Sequence, residues 1–414
     1  MSAAPACLSC GARLTATLLD LGSQPLANSY LAPEQAAAGD EPRYPLHARV
    51  CGACLLVQVE PVVPPEAIFS DYAYFSSYST SWLQHAAGYA RVVTDRLGLG
   101  ADSLVVEVAS NDGYLLRSFV EAGVPVLGVE PAANVAEVAV AAGVRTDVAF
   151  FGRAHAARIL ERDGAADLVV ANNVLAHVPD LEDFVGGLHD VLRPRGVLTV
   201  EVPHLLRMLA GTEFDTIYHE HLCYFSLLAA RDVLARRGLR VFDVEELPTH
   251  GGSLRLWASR EGAADAWPET TAVARVLDAE RAAGLDDLAG YAGFAGRVEV
   301  LLVELRRFLD GARETGQRVA AYGAAAKGNT LLNAAGATTA DVAYVVDRNP
   351  HKQGRLLPGS RLPILAPEHV ATDRPDYLLV LPWNLREEIT TQMAGVREWG
   401  CRFVVPVPRL EVLP

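Results

Sequence analysis

From Ser81 onward, apolar and polar positions alternate between two rhythms. Compact apolar runs at Leu104–Val108, Val126–Val129, Leu168–Ala171 and Val197–Val200 are separated by stretches with helical spacing. Short buried runs divided by helices predict parallel βαβ units, and therefore a doubly wound sheet. After Ala266 two long amphipathic stretches follow, "TTAVARVLDAERAAGL" and "FAGRVEVLLVELRRFLDGARETG", whose apolar positions recur at helical intervals. Strand-like runs then return at Val319–Tyr322, Val342–Val346, Tyr377–Leu381 and Phe403–Val407, so a second α/β unit is expected at the end of the chain. The first seventy or so residues differ: they hold short alternating stretches, "LHARVC" and "CLLVQVE", and close on the proline-rich "EPVVPPEAIF". The expected class is α/β, with a small N-terminal module over residues 1–74 and two Rossmann-like doubly wound parallel-sheet domains over 75–265 and 266–414. The last of these includes the connecting helices.

Four of the six cysteines give the first module its chemistry. Cys7-Leu-Ser-Cys10 and Cys51-Gly-Ala-Cys54 are two CxxC knuckles, and four thiolates from two such turns form the tetrahedral set that Zn²⁺ favours. The 40 or so residues between the knuckles exceed the 15–20 of the shortest four-cysteine fingers, so the intervening chain must form a hairpin or loop of its own. All four ligand positions would be filled by protein, which makes the ion structural. Cys223 and Cys401 stand alone and read as packed small residues.

Length and composition narrow the rest. With 414 residues, half of them apolar and 21% charged, the chain can bury more than one core. Its formal charge is −14 and its basic residues are interspersed with acids, which speaks against a nucleic-acid partner. No charged and apolar leader, and no apolar run long enough for a bilayer, is present, so a cytoplasmic protein without a membrane partner is expected. The oligomeric state is not encoded legibly.

Two strand-to-helix turns carry candidate ligand contacts. "LVVEVASNDGYLLRSF" runs from a buried strand through Glu107, Asn111, Asp112 and Gly113 into a helix, and the next strand ends in Glu130, about 20 residues on, where an acid accepts hydrogen bonds from ribose hydroxyls. One glycine stands where the dinucleotide fingerprint has three, and Glu107 and Asp112 would repel phosphate. An adenosine cofactor without phosphates, S-adenosylmethionine, suits this loop better. "ADLVVANNVLAHVPD" adds Asn172, Asn173 and His177 at a carboxyl edge, where open α/β sheets bind ligands. An ordinary βα turn remains the plain alternative.

Tyr218-His219-Glu220-His221 admits three readings. A metal site prefers H-E-x-x-H on a helix, whereas these histidines are two apart. A polar stretch packed beside "CYF" is the second. The third is general acid–base chemistry: a histidine tuned by a carboxylate and assisted by a phenol is suited to taking a proton next to a carbonyl.

Taken together, Cys7/Cys10/Cys51/Cys54, "YAYFSSYS", "EVASNDGYLL", "ANNVLAHVPD", "YHEHLCYFS", "HGGSLR" and "YGAAAKGNTLLN" resemble the S-adenosylmethionine-dependent C-methyltransferases of nucleotide-linked deoxysugars, over nearly the whole chain. The resemblance implies a zinc domain, a methyltransferase domain and a C-terminal Rossmann-like domain that helps hold the nucleotide sugar. It also implies a 4-keto-6-deoxy sugar, usually on dTDP, methylated at ring carbon 3, with carbon 5 the variant in some relatives. By motif it gives His221 the position of the base, with Tyr218 near the substrate, Glu220 tuning both, His177 in the "AHVPD" motif and Tyr72 in the segment closing over the sugar. Tyr74, Tyr78 and His250 join the implied substrate contacts. So do Tyr322, Lys327, Gly328 and Asn329 of "RVAAYGAAAKGNTLLN", as diphosphate or base contacts. Read alone, that last loop with Asp347 about 20 residues on could serve NAD, although the spacing of Gly323 and Gly328 is wrong for it. An NAD-dependent nucleotide-sugar oxidoreductase or epimerase, and a non-catalytic scaffold of degenerate Rossmann units, are the rival functions.

Overall fold

The computed structural model describes residues 4–39, 41–69, 76–78 and 80–413, which build three sheets. The central sheet has seven strands, in edge-to-edge order Leu239–Leu247, Ser253–Arg260, Leu192–Pro203, Ala166–Asn172, Val105–Val108, Val126–Glu130 and Thr146–Val148. The last five are mutually parallel, and Ser253–Arg260 pairs antiparallel with both of its neighbours. Both faces are buried, so each strand splits its apolar side chains between two cores. Val105, Leu168, Val170 and Val197 face the core of Tyr89, Phe119, Phe242 and Trp257, beneath the helices Thr80–Leu97 and Leu116–Glu121. Val106, Val169, Leu198 and Val200 face the larger core on the opposite side. This two-sided burial explains why the strands read as continuous apolar runs.

The strand order reverses between Val105–Val108 and Ala166–Asn172. Their following loops diverge there and leave a crevice at the carboxyl edge. The C-terminal sheet repeats the arrangement with strands Ile364–Leu365, Val345–Val346, Val319–Tyr322, Tyr377–Val380, Arg402–Val405 and Glu411–Leu413, reversing between Val319–Tyr322 and Tyr377–Val380. The two amphipathic stretches are the helices Thr271–Ala282 and Phe294–Glu314. The first is locked to the central unit by Glu280, whose carboxylate accepts the main-chain N–H of Leu227 and Leu228 at 2.6 and 2.9 Å and meets His204 Nε2 at 2.8 Å.

The segment between the cysteine knuckles forms the antiparallel pair Ala16–Pro25 and Arg43–Val50, with the short helix Pro33–Ala38 between them. This sheet continues through Val57–Gln58 and ends on Cys223–Tyr224, a strand supplied from far along the sequence. The N-terminal unit is thus stitched to the chain immediately after the tyrosine–histidine cluster. A second seam joins it to the C-terminal unit, where Leu31 and Leu356 exchange two main-chain hydrogen bonds of 3.0 and 2.9 Å. Among the described residues, no helix is long and apolar enough to cross a membrane.

Candidate active site

The four Sγ atoms of Cys7, Cys10, Cys51 and Cys54 lie within 4.8 Å of one another, and all four cysteines are free thiols. Cys7 and Cys54 are 3.6 Å apart and Cys10 and Cys51 3.5 Å. Ligands bonded at about 2.3 Å to a tetrahedral Zn²⁺ stand roughly 3.8 Å from each other, so the set fits that ion. Gln58 supports it from outside, donating through Nε2 to Cys7 Sγ at 3.2 Å while its Oε1 accepts the N–H of Leu8 at 2.8 Å.

The crevices of the two larger units open into one cavity of about 1200 Å³. Its floor on the central side is formed by Asn111, Glu130, Asn172, Asn173 and His177, and Tyr218 and His221 stand between that floor and the C-terminal unit. Asn111 and Asn173 adopt left-handed main-chain conformations, φ 49° and 54°, as the chain turns sharply out of each strand. Glu130 shapes the first turn, accepting the N–H of Asn111 at 3.0 Å and of Ala132 at 2.9 Å. Asp347 does the same in the C-terminal unit, accepting the N–H of Ala324 and of Asn349, both at 2.8 Å. The side chains of Asn111 and Asp112 hold a turn over the site, accepting the N–H of Ser76 at 2.8 Å and of Ser77 at 3.1 Å.

The cluster around His221 has a definite proton arrangement. His221 Nδ1 lies 3.0 Å from the carbonyl oxygen of Thr216, which can only accept, so the ring proton is on Nδ1 and Nε2 carries a lone pair. The Tyr218 hydroxyl donates to that Nε2 at 2.7 Å. His177 repeats the pattern: its Nδ1–H donates to the main-chain oxygen of Glu220 at 2.7 Å, and its ring lies edge-on to His221 with centroids 4.8 Å apart. Burial lowers the pKa of both, to about 4 for His177. For His221 it falls well below the usual imidazole value, because burial is reinforced by the neighbouring basic groups His177, Lys327 and His250. Both rings are therefore neutral bases at ordinary pH.

His250 enters from the strand turn Thr249–Gly252 and packs against Trp82, centroids 5.3 Å apart. The turn depends on its glycines. Gly251 has φ 96°, and a Cβ there would come 2.6 Å from Trp383 Cη2; at Gly252, φ 132°, a Cβ would come 2.7 Å from Arg207 Cγ. Lys327 crosses the seam, donating to the His250 carbonyl at 3.3 Å and lying 4.6 Å from the Trp383 ring centroid. Burial lowers its pKa, while the carboxylates of Asp215 and Glu213 oppose the shift.

The other sequence candidates separate. Glu107, Asp112 and Gly113 sit beneath the cavity wall, and burial, aided by Glu130 and Asp112, raises the Glu107 carboxyl well above the carboxylate range. Glu220 turns its carboxyl away from the imidazoles toward Asn28 of the N-terminal unit. Tyr322, Gly328 and Asn329 lie behind the lining. The Tyr322 hydroxyl donates to Gln392 at 3.0 Å, Gly328 makes room for Leu381, and Asn329 is 1% exposed. Tyr72 and Tyr74 fall outside the described residues, and Tyr78 ends the short turn Ser76–Tyr78. Asn28, Trp82, His85 and Lys352 line the cavity without any motif having marked them.

The three units match three family models: a zinc binding domain over residues 7–69, a methyltransferase domain over 82–244 and a C-methyltransferase C-terminal domain over 248–408. Over 407 residues the chain is 39% identical to C-methyltransferase NovU of Streptomyces niveus, spanning 98% of this chain and 96% of that protein. The chain belongs to the S-adenosylmethionine-dependent C-methyltransferase family. It is an enzyme that methylates carbon. Among solved structures, this C-methyltransferase aligns with magnesium protoporphyrin IX methyltransferase of Synechocystis PCC 6803 at 16% identity, over 43% of this chain and 77% of that one, TM-score 0.32. It also aligns with 1,6-didemethyltoxoflavin-N1-methyltransferase of Burkholderia thailandensis at 20% identity, over 50% and 94%, TM-score 0.35.

Proposed function

We propose that the enzyme methylates ring carbon 3 of a dTDP-linked 4-keto-6-deoxy sugar by way of an enolate, with His221 as the base. The observation that carries this reading is the lone pair on His221 Nε2, held against the Tyr218 hydroxyl in a cavity shared by two Rossmann-like units. The central crevice suits S-adenosylmethionine. Asn172 Oδ1, on its wall, and Asp112 Oδ1, beneath it, are buried acceptors without a protein partner, matched to a ligand rich in donors and positive charge. Asn111, Glu130, Asn172 and Asn173 would hold it, and when bound it supplies the electrophilic methyl group.

The chain's own residues then perform the proton chemistry. A proton next to a ketone is removable because the charge left behind spreads onto oxygen, so the site needs a base at the carbon and a donor at the oxygen. His221 Nε2 takes the proton, and Nδ1–H, already bonded to Thr216, keeps the ring oriented while it becomes an imidazolium. Tyr218, released from Nε2, is the hydroxyl donor for the enolate oxygen. Arg348, Asn349 and Lys352, which line the C-terminal side, supply donors for the nucleotide diphosphate. The name of the NovU relative, a C-methyltransferase, agrees with attack by carbon rather than oxygen or nitrogen. The reading is tested by supplying a panel of dTDP-4-keto sugars with S-adenosylmethionine and locating the new methyl group by NMR. Methylation at carbon 3 is expected, and a methyl at carbon 5 or on a heteroatom overturns it.

A further inference from the structure

Glu220 sits in the catalytic cluster, yet its carboxyl is hydrogen-bonded in the opposite direction. Asn28 Nδ2 lies 2.8 Å from one carboxyl oxygen and 3.0 Å from the other. Asn28 follows the first strand of the zinc-binding unit, 192 residues away in sequence, and lines the same cavity as Tyr218 and His221. A carboxylate can only accept, so the amide presents Nδ2 to Glu220 and leaves Oδ1 on the side of the Tyr30 hydroxyl, 3.1 Å away. That hydroxyl also reaches the carbonyl of Ala324 in the C-terminal unit at 2.7 Å, and Lys352 Nζ donates to the same carbonyl at 2.8 Å. The loop carrying Asn28 is fixed further by the paired main-chain hydrogen bonds between Leu31 and Leu356. One amide thus stands where all three units meet.

We propose that Asn28 is a positioning residue of the active site, through which the zinc-binding unit holds the Glu220 side chain and, with it, the main-chain oxygen that orients His177. The inference deepens the catalytic role proposed above and rests on it. One effect follows directly from the geometry. The Glu220 main-chain oxygen accepts His177 Nδ1–H, so anchoring the Glu220 side chain also steadies the carbonyl that sets the His177 tautomer. Burial pushes the Glu220 carboxyl up to about 7, and the Asn28 hydrogen bonds, with Lys352 acting through space, oppose that rise. The other groups facing this corner are Tyr30, whose burial keeps its phenol neutral, Asp347 beside Lys352 at 3.8 Å, and His219, bonded to the Tyr44 carbonyl at 3.3 Å.

The test replaces the donor amide isosterically in Asn28→Asp and with an apolar side chain of similar size in Asn28→Leu. Titration of the Glu220 carboxyl by carbon-13 NMR, in the zinc-loaded full chain without substrate and assigned by its absence in Glu220→Gln, should move to higher pH by a unit or more in both variants. In Asn28→Leu, kcat at pH 7 should fall at least tenfold and recover toward pH 9, with KM for S-adenosylmethionine unchanged. A folded variant whose Glu220 titrates as in the parent protein, or whose pH profile is unmoved, overturns the proposal. The titration needs no sugar, so it stands even if no dTDP-keto sugar is accepted by the parent enzyme. That latter result would count against the proposed substrate alone.

Discussion

Within the tetrad Tyr218 to His221, neighbours serve opposite sides of the chain. Tyr218 and His221 face the cavity, while His219 and Glu220 are directed to Tyr44 and Asn28 of the zinc-binding unit. The sequence made all four visible as chemistry-bearing residues but not this division, because the cluster lies on an irregular turn whose side-chain directions follow no helix or strand period. Replacing His221 by Asn should lower kcat by 10²- to 10⁴-fold while leaving the dissociation constant for S-adenosylmethionine unchanged, as measured by calorimetry. Loss of donor binding in that variant would argue instead for a packing role. The pH dependence has a definite sign. His221, with its pKa lowered by burial and basic neighbours, stays unprotonated well below pH 6.5, so its titration does not set the acid limb of kcat/KM near neutrality. Glu220, whose carboxyl burial raises to about 7, is the group expected to set it. Activity should fall as pH drops through 7, and Glu220→Gln should show low activity with that limb flattened.

At the level of elements, period and apolar run length located the strands well. Runs buried on both faces, such as Val105–Val108 and Tyr377–Val380, leave a dense apolar signature. The antiparallel pair Leu239–Leu247 and Ser253–Arg260 was not legible, because charged side chains interrupt it. Arg255 is nearly buried in partnership with Glu201 and Glu245, so the pairing that satisfies it exists only in the folded sheet. The two-residue strand Cys223–Tyr224 escaped for a different reason: its partner, Val57–Gln58, belongs to another unit. That strand ties zinc to catalysis. Chelation, or Cys51→Ser, should lower the melting temperature and activity together, and activity that survives loss of zinc would contradict this coupling. The glycine turn gives a sharper case. Gly251→Ala combines a left-handed φ with a Cβ 2.6 Å from Trp383, which should cost about 1–3 kcal/mol of stability. A thermal melt would reveal it, accompanied by a raised KM for the sugar.

Across the whole molecule, the site is a junction. The central sheet brings one crevice and the C-terminal sheet a second, both at strand-order reversals, and the zinc-binding unit closes the corner between them. Sequence patterns could announce each crevice separately, since strand-to-helix turns have local signatures. They could not announce that Asn28, Trp82 and Lys352 share a cavity with His221, because that depends on how the units dock. A division of labour follows. Lys352→Met should raise KM for the nucleotide sugar severalfold while leaving S-adenosylmethionine binding intact, and an equal effect on both ligands would argue against separate crevices.

The central claim is that His221 makes a sugar carbon nucleophilic by removing its proton. It is tested most directly by incubating the enzyme with a dTDP-4-keto-6-deoxy sugar in D₂O and following deuterium at carbon 3 by NMR. Wild-type protein is expected to catalyse the exchange and His221→Asn to abolish it. Exchange at an undiminished rate in the variant would contradict the account.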